Sequence, residues 1–275
     1  MSAQAPTVLQ RILESTRAEL ERRHQHESLE SLRERALRSR SASGKAVRSL
    51  TSAIAQPPIG VIAEFKRRSP SAGTLRGGAD AAQLARAYEQ GGARGISVLT
   101  EGPHFEGSLE DLRAARDATG LPILRKDFLI DPYQLYEALL AGADAVLLIV
   151  AALAEHELAS LHELARELGL EALVEVHDGR ELRVALGVGP ALVGINNRDL
   201  RDFSVDVGRT ARLMEEMPAS VRVVSESGIG GPEQLADLAA IGVDAVLVGE
   251  SLMRAADPSA ALRELLGQGA LESSG

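Results

Sequence analysis

The sequence predicts an α/β protein of the (β/α)8 class, a TIM barrel, preceded by a helical N-terminal extension. Three observations carry this reading. From residue 59 onward, short apolar runs alternate with helical patterns eight times. The runs are apolar along their whole length, as strands of a parallel sheet covered by helices must be. Two phrases, AGADAVL (141–147) and IGVDAVL (241–247), recur almost verbatim at the start of two of these runs. A doubly wound open sheet is the competing architecture. Eight evenly spaced units, with no GxGxxG turn after the first strand, favour the barrel.

Taken in chain order, residues 1–55 are charged and helix-favouring. Leu9, Ile12, Leu13 and Leu20, then Leu29, Leu32 and Leu37, recur at roughly helical spacing, which predicts an extension docked on the barrel by its apolar stripe. Ser41 to Gly44 and the pair Pro57-Pro58 punctuate the chain before the first strand. The barrel is expected over 56–268, with a flexible tail at 269–275. Strands are predicted at 60–65, 95–99, 121–125, 144–150, 171–176, 191–195, 221–225 and 244–248. The helices fall at 81–90, 108–118, 132–141, 154–168, 179–186, 207–217, 232–240 and 258–266. Several helices end on glycine, as at Gly91-Gly92 and Gly142, where a left-handed residue closes the last turn.

Composition narrows the function classes. The chain has 275 residues, 45% of them apolar but only 3% aromatic, so its core must be built from Leu, Val, Ile and Ala. A net charge of −9 argues against a nucleic-acid or anionic-membrane surface. There is no cysteine, which removes disulfides, thiolate metal sites and cysteine nucleophiles. The six histidines lack ligand spacing such as HExxH, so no structural metal is expected. The N-terminus has no signal-peptide core, and the longest apolar run, 145–154, is too short to span a bilayer. A soluble, cytoplasmic, monomeric protein is expected.

Lysine usage is the first pointer to chemistry. Against 27 arginines there are three lysines, and two of them, Lys66 and Lys126, close apolar strand runs. Arginine stays protonated at any working pH, whereas a partly buried lysine can donate a proton. Lys45 has no such context and reads as a surface charge.

Strand C-termini form the active face of such barrels. Those positions hold Glu64 and Lys66, Glu101, Lys126 and Asp127, Glu175 and His177, Asn196 and Arg198, Ser225 to Gly228, and Gly249 to Ser251. A single carboxylate at a strand end is ordinarily a salt-bridge partner. Three glutamates (Glu64, Glu101, Glu175) and two lysines on one mouth suit general acid–base work. Like charges there are expected to lower the lysine pKa values and to raise at least one glutamate. The glycine-bearing loops SGIGG (227–231) and GESL (249–252), with Lys66-Arg67-Arg68-Ser69, suggest a phosphate site. His104, His162 and the N-terminal histidines have no evident partner and read as surface residues.

The strings IAEFKRRSPS (62–71), SVLTE (97–101), RKDFLIDPYQ (125–134), LVEVH (173–177), GINNRDL (194–200), VSESGI (224–229) and LVGESLM (247–253) resemble indole-3-glycerol-phosphate synthase, a family of tryptophan biosynthesis. The resemblance runs from about residue 5 to 268. It implies a cofactor-free carboxy-lyase acting on 1-(2-carboxyphenylamino)-1-deoxyribulose 5-phosphate, a phosphorylated small molecule. By this resemblance Lys126 is the acid toward the substrate ketone, Lys66 faces the carboxylate, and Glu175 moves a proton in the dehydration. Glu64, Asn196 and Glu226 position hydroxyls and lysines. Ser69, Gly228 and Gly249 cradle phosphate, with Arg198 and Ser227 on the same rim. Phe128 and an apolar face of the N-terminal arm pack on the anthranilate ring. Glu250 departs from the serine of some members, so only its backbone N–H could serve a phosphate.

Two other readings stand beside it. A phosphosugar isomerase would share the loops but relies on a cysteine that is absent here. A non-catalytic phosphate-binding barrel would be expected to lose Lys126 or Glu175.

Overall fold

The computed structural model describes residues 7–43, 48–199 and 203–268, so Lys45 and the predicted tail lie outside the described residues. The chain begins with α1 (Val8–His26), α2 (Leu29–Ser43) and the short α3 (Leu50–Ile54). Eight parallel strands follow: β1 (Gly60–Phe65), β2 (Gly95–Leu99), β3 (Ile123–Lys126), β4 (Ala145–Ile149), β5 (Glu171–Val176), β6 (Leu192–Asn196), β7 (Arg222–Glu226) and β8 (Ala245–Val248). Each is hydrogen-bonded to its sequence neighbours, and β8 pairs with β1 to close a barrel. The helices between them are α4 (Ala81–Gln90), α5 (Leu109–Ala118), α6 (Pro132–Ala141), α7 (Glu155–Glu167), α8 (Gly179–Gly187), α9 (Arg209–Met214) and α10 (Pro232–Ala240). Two more, α11 (Glu250–Arg254) and α12 (Pro258–Leu265), follow β8. An (β/α)8 barrel with helices ahead of it is the predicted architecture.

Local chemistry explains the helix starts. Asp80 accepts the N–H groups of Ala82 and Gln83 before α4, and Ser108 and Asp178 cap α5 and α8 in the same way. Asp131 and Gln134 form a reciprocal capping box around Pro132 at α6, which Gly142 ends at φ 86°. Two elements differ from expectation by more than one residue at an end. Strand β3 starts at Ile123 rather than 121, because Pro122 has no N–H to give the ladder, though its carbonyl accepts from Ile96 at 2.9 Å. The run therefore extends to Lys126, which lies within the strand. Helix α9 is shorter than 207–217: Asp206 accepts from the Gly208 N–H at 3.1 Å in a turn, and i→i+3 bonds tighten the chain before Pro218.

Alternation along the strands sorts residues between two apolar clusters. Ile62, Leu124, Leu147, Leu173, Leu192, Val224 and Leu247 fill the barrel interior, while Val61, Ile123, Val146, Val174, Val193 and Val246 face the helices. At the N-terminal end, Leu50 and Ile54 of α3 complete the interior cluster, with Leu50 against Gly95 at the start of β2. At the opposite end Ile12 and Leu13 of α1 join it beside Phe128. Leu20, Leu32 and Ala36 bury against the outer cluster, and Arg23 pairs with Glu137 of α6 at 3.0 Å. Burying these side chains at roughly 1.5–3 kcal/mol each outweighs what one surface ion pair adds. Ile12, Leu13, Leu20 and Leu32 of the predicted stripe are buried, whereas Leu37 is exposed.

Candidate active site

The same alternation that sends Ile62, Leu124, Leu173 and Val224 inward also aims the residues two further on at the barrel mouth. Those residues are Glu64, Lys126, Glu175 and Glu226. They border a cavity of about 470 Å³ that is lined by all 13 predicted site residues. The catalytic candidates Lys126, Glu175, Lys66, Glu64, Asn196 and Glu226 sit at its base. Ser69, Phe128, Arg198, Ser227, Gly228, Gly249 and Glu250 surround them.

Two ion-pair groups organise the base. Lys66 Nζ lies 2.6 Å from Glu64 Oε1. Lys126 Nζ lies 3.0 Å from Glu175 Oε2 and 3.3 Å from Glu226 Oε2. Asn196 Nδ2 donates to Glu175 Oε1 at 3.2 Å, and its Oδ1 accepts from Ser227 Oγ and the Arg198 N–H. That fixes the amide's orientation. Beneath the mouth, Arg125, 1% exposed, donates to Asp127, Thr100 and the Gln134 carbonyl, anchoring the strand end that carries Lys126. Arg67 holds the loop after β1 through two 2.6 Å bonds to Asp111 and contacts to the Ala79 and Glu106 carbonyls.

The electrostatics correct one expectation. Lys126 was expected to have a lowered pKa, but it is raised. Burial alone would lower it, yet Glu175, Glu226 and Glu64 outweigh that cost. Carboxylates outnumber the cations here, and the other lysine is engaged by Glu64. Glu226 behaves as expected of one glutamate: burial, with the nearby Glu175 and Glu64 charges, pushes it up to about 7 against the opposing pull of Lys126. Its Oε1 has no hydrogen-bond partner among the described residues, and Gly194 leaves the room for it, since a Cβ there would lie 2.3 Å away. Glu175 is also buried, which raises it, but Lys126 and His177 carry its pKa below the ordinary value. One carboxylate is thus held ionised and another poised near neutrality.

The rim residues show why glycine is used there. Ser227 (φ 67°) and Gly228 (φ 79°) are consecutive left-handed residues after β7, and a Cβ on Gly228 would lie 2.7 Å from Val205. Gly249 has φ −128°, so backbone handedness does not require glycine at that position. Close approach does: a Cβ would lie 2.6 Å from Glu64 Oε1. Ser69 Oγ accepts from the Ala72 N–H at 3.1 Å and faces Ser71. Glu250 opens α11, lines the cavity, and its side chain pairs with Arg254 at 3.3 Å.

Other expectations need correction. Glu101 is buried, but it turns into the β2–α5 loop, where it accepts from the N–H groups of His104 and Phe105 and pairs with His104 Nδ1 at 2.6 Å. It does not line the cavity, and Glu226 takes its place in the three-glutamate set. His104 consequently has a partner. So does His24, whose ring meets Tyr133 in a tilted contact at 4.5 Å and lies 3.7 Å from Asp131. Among the described residues, the N-terminal arm contributes none to the cavity lining; it packs behind Phe128. The apolar wall comes instead from Phe105, Phe128, Phe203, Leu99 and Ile149. Phe105 and Phe203 were missed, although a signal existed: only four phenylalanines occur in the chain, and three line this cavity. Arg254 on the rim was also missed.

Among the described residues, no group of three or more His, Asp or Glu side chains is placed to hold a metal ion. No described helix is long and apolar enough to cross a membrane.

Comparison with known proteins agrees with this geometry. The indole-3-glycerol phosphate synthase family profile matches residues 9–265. The chain is 48% identical over 263 residues to the indole-3-glycerol phosphate synthase of Mycobacterium ulcerans (strain Agy99), covering 96% of this chain and 95% of that one. It is 51% identical over 226 residues to indole-3-glycerol phosphate synthase 2 of Streptomyces coelicolor, covering 82% and 88%. Among solved structures, an N-acetylmannosamine-6-phosphate 2-epimerase from Clostridium perfringens has a TM-score of 0.59 at 17% identity, over 76% of this chain and 92% of that one. Thiamine phosphate pyrophosphorylase from Pyrococcus furiosus also scores 0.59, at 18% identity over 80% and 98%. These two speak for the fold alone. Over nearly its whole length, with the family's strand-end motifs gathered at one barrel mouth, the chain belongs to the indole-3-glycerol phosphate synthase family.

Proposed function

We propose that the chain converts 1-(2-carboxyphenylamino)-1-deoxyribulose 5-phosphate to indole-3-glycerol phosphate, carbon dioxide and water. The observation that carries the mechanism is Lys126 lying between Glu175 and Glu226 at the base of a cavity with an aromatic wall and a glycine-bearing rim.

The ring carbon that bears the carboxylate attacks the ketone carbon. The carbonyl electron pair moves to oxygen, which takes a proton from Lys126. A raised lysine pKa suits this step, because the developing alkoxide is a far stronger base than an amine. The C–CO2 bond pair then returns to the ring and restores aromaticity. The hydroxyl leaves as water with a proton from Lys66, and the adjacent methylene carbon gives a proton to Glu175. Two protons enter and one leaves, so each turnover takes one proton from solvent.

Phe105, Phe128 and Phe203 would sandwich the anilino ring, while Ser69, Gly228 and Gly249 receive the phosphate, with Arg198, Ser227 and the Glu250 backbone nearby. Glu64, Asn196 and Glu226 orient the lysines and the substrate hydroxyls. The steps move protons and carbon–carbon electron pairs, so they call for no redox group. A monomeric, cytoplasmic enzyme acting on a free small molecule goes with this reading. Incubating the purified chain with the substrate tests it: indole fluorescence should rise with one carbon dioxide per product. Substrate left unchanged, or decarboxylated without ring closure, would refute it.

A further inference from the structure

The proposed reaction exchanges protons with solvent, yet Glu175 is 1% exposed and lines the mouth that substrate would occupy. His177 offers a second route. It follows Glu175 by two residues, so strand alternation points both side chains to one side. Its Nε2 is 3.4 Å from Glu175 Oε1, is buried, and has no hydrogen-bond partner among the described residues. At the other edge of the ring, Nδ1 lies 3.1 Å from Glu181 Oε2, and Glu181 also accepts the His177 N–H at 2.7 Å. His177 does not line the mouth. With Glu181 it lines a separate cavity of about 380 Å³.

The charged groups facing His177 come from several elements. Glu175 lies on β5, Asp178 caps α8 and Glu181 lies within it. Asp199 and Asp206 lie between β6 and α9, with Arg209 and Arg212 on α9. Burial lowers the imidazole pKa, but the Glu181 hydrogen bond and the Glu175 and Glu181 charges raise it above its ordinary 6.5, against Arg209. These neighbours therefore favour the protonated ring.

Resting on the reaction proposed above, we infer that His177 is a positioning and proton-exchange residue that connects Glu175 to the second cavity. When Glu175 has taken the substrate's methylene proton, Nε2 accepts it from the carboxyl and Nδ1 releases one to Glu181 or to water. The carboxylate is restored without opening the occupied mouth. Unlike Glu175, His177 does not line the mouth where substrate would sit.

Two variants test this. His177→Gln can place an amide N–H toward Glu175, and His177→Asn can keep the hydrogen bond to Glu181, but neither can relay a proton. Each is expected to lower kcat roughly tenfold, the low end of what proton-transfer groups supply, with KM within about twofold. The solvent deuterium isotope effect on kcat should rise, and added imidazole should restore part of the loss. Wild-type kcat and isotope effect in both variants would overturn the inference. So would a loss that imidazole does not relieve and that leaves the isotope effect unchanged.

An arm that needs no His177 variant is NMR titration of the His177 ring in wild type and in Glu175→Gln. The ring pKa should stand above 6.5 and fall in the variant; an unchanged value refutes the link even if the His177 variants do not fold. Wild-type protein that makes no indole product would sink the proposed reaction, whereas product formation with indifferent His177 variants would sink this inference alone.

Discussion

Replacing Glu226 with glutamine should stabilise the protein while impairing it, and the gain should depend on pH in a defined direction. The Glu226 carboxyl ordinarily titrates at 4.5 and is pushed up to about 7 in the folded state. At 1.36 kcal/mol per pH unit, that rise corresponds to about 3 kcal/mol. Because the folded-state pKa is raised, the folded protein holds the proton more tightly. The contribution to stability is fully present below 4.5 and is lost as pH rises through about 7. Glutamine is neutral throughout and escapes this loss. Lys126 is not stranded by the change, since Glu175 remains 3.0 Å away.

Equilibrium urea unfolding at constant ionic strength, from about pH 5 to pH 8, measures the difference. Glu226→Gln should gain on wild type steadily up to about pH 7 and level off above that, for about 3 kcal/mol in all, while kcat falls. A gap that is independent of pH, or that narrows as pH rises, would refute the assignment of a raised pKa to Glu226.

Other variants probe the rim. Ser69→Ala should raise KM about tenfold, the scale of one hydrogen bond to a charged group, with kcat nearly unchanged. Inorganic phosphate should inhibit wild type competitively and this variant more weakly; equal inhibition would remove Ser69 from the phosphate site. Gly249→Val should lower kcat as well as raise KM, because its side chain meets Glu64, the partner of Lys66, at 2.6 Å. An effect confined to KM would mean that Glu64 gives way without disturbing Lys66.

Much of this was legible in the sequence because the barrel turns a period of two into a map. Once a strand is placed, the residue two beyond its last interior apolar position is a mouth residue, and Glu64, Lys126, Glu175 and Glu226 follow from that rule alone. The rarity of lysine added independent weight to Lys66 and Lys126. What stayed hidden depended on spatial neighbours. Glu101 sits at a strand end like the others, but a tight turn brings the N–H groups of His104 and Phe105 to its carboxylate. The direction of the Lys126 shift required knowing that Glu64 engages Lys66 and leaves two other carboxylates to Lys126. For Gly249 the reason for glycine lies on the neighbouring strand in Glu64, not in its own backbone angles. Phe105 and Phe203 lie on loops, where no periodicity marks the side facing the cavity.

The central claim is that Lys126 supplies the proton that ring closure requires. Single-turnover formation of indole-3-glycerol phosphate, followed by fluorescence in wild type and in Lys126→Arg, tests it most directly. Arginine keeps the charge beside Glu175 and Glu226 but does not give up a proton. The variant should fold and bind substrate yet form product about 100- to 10,000-fold more slowly. A Lys126→Arg rate within a few-fold of wild type would contradict the account.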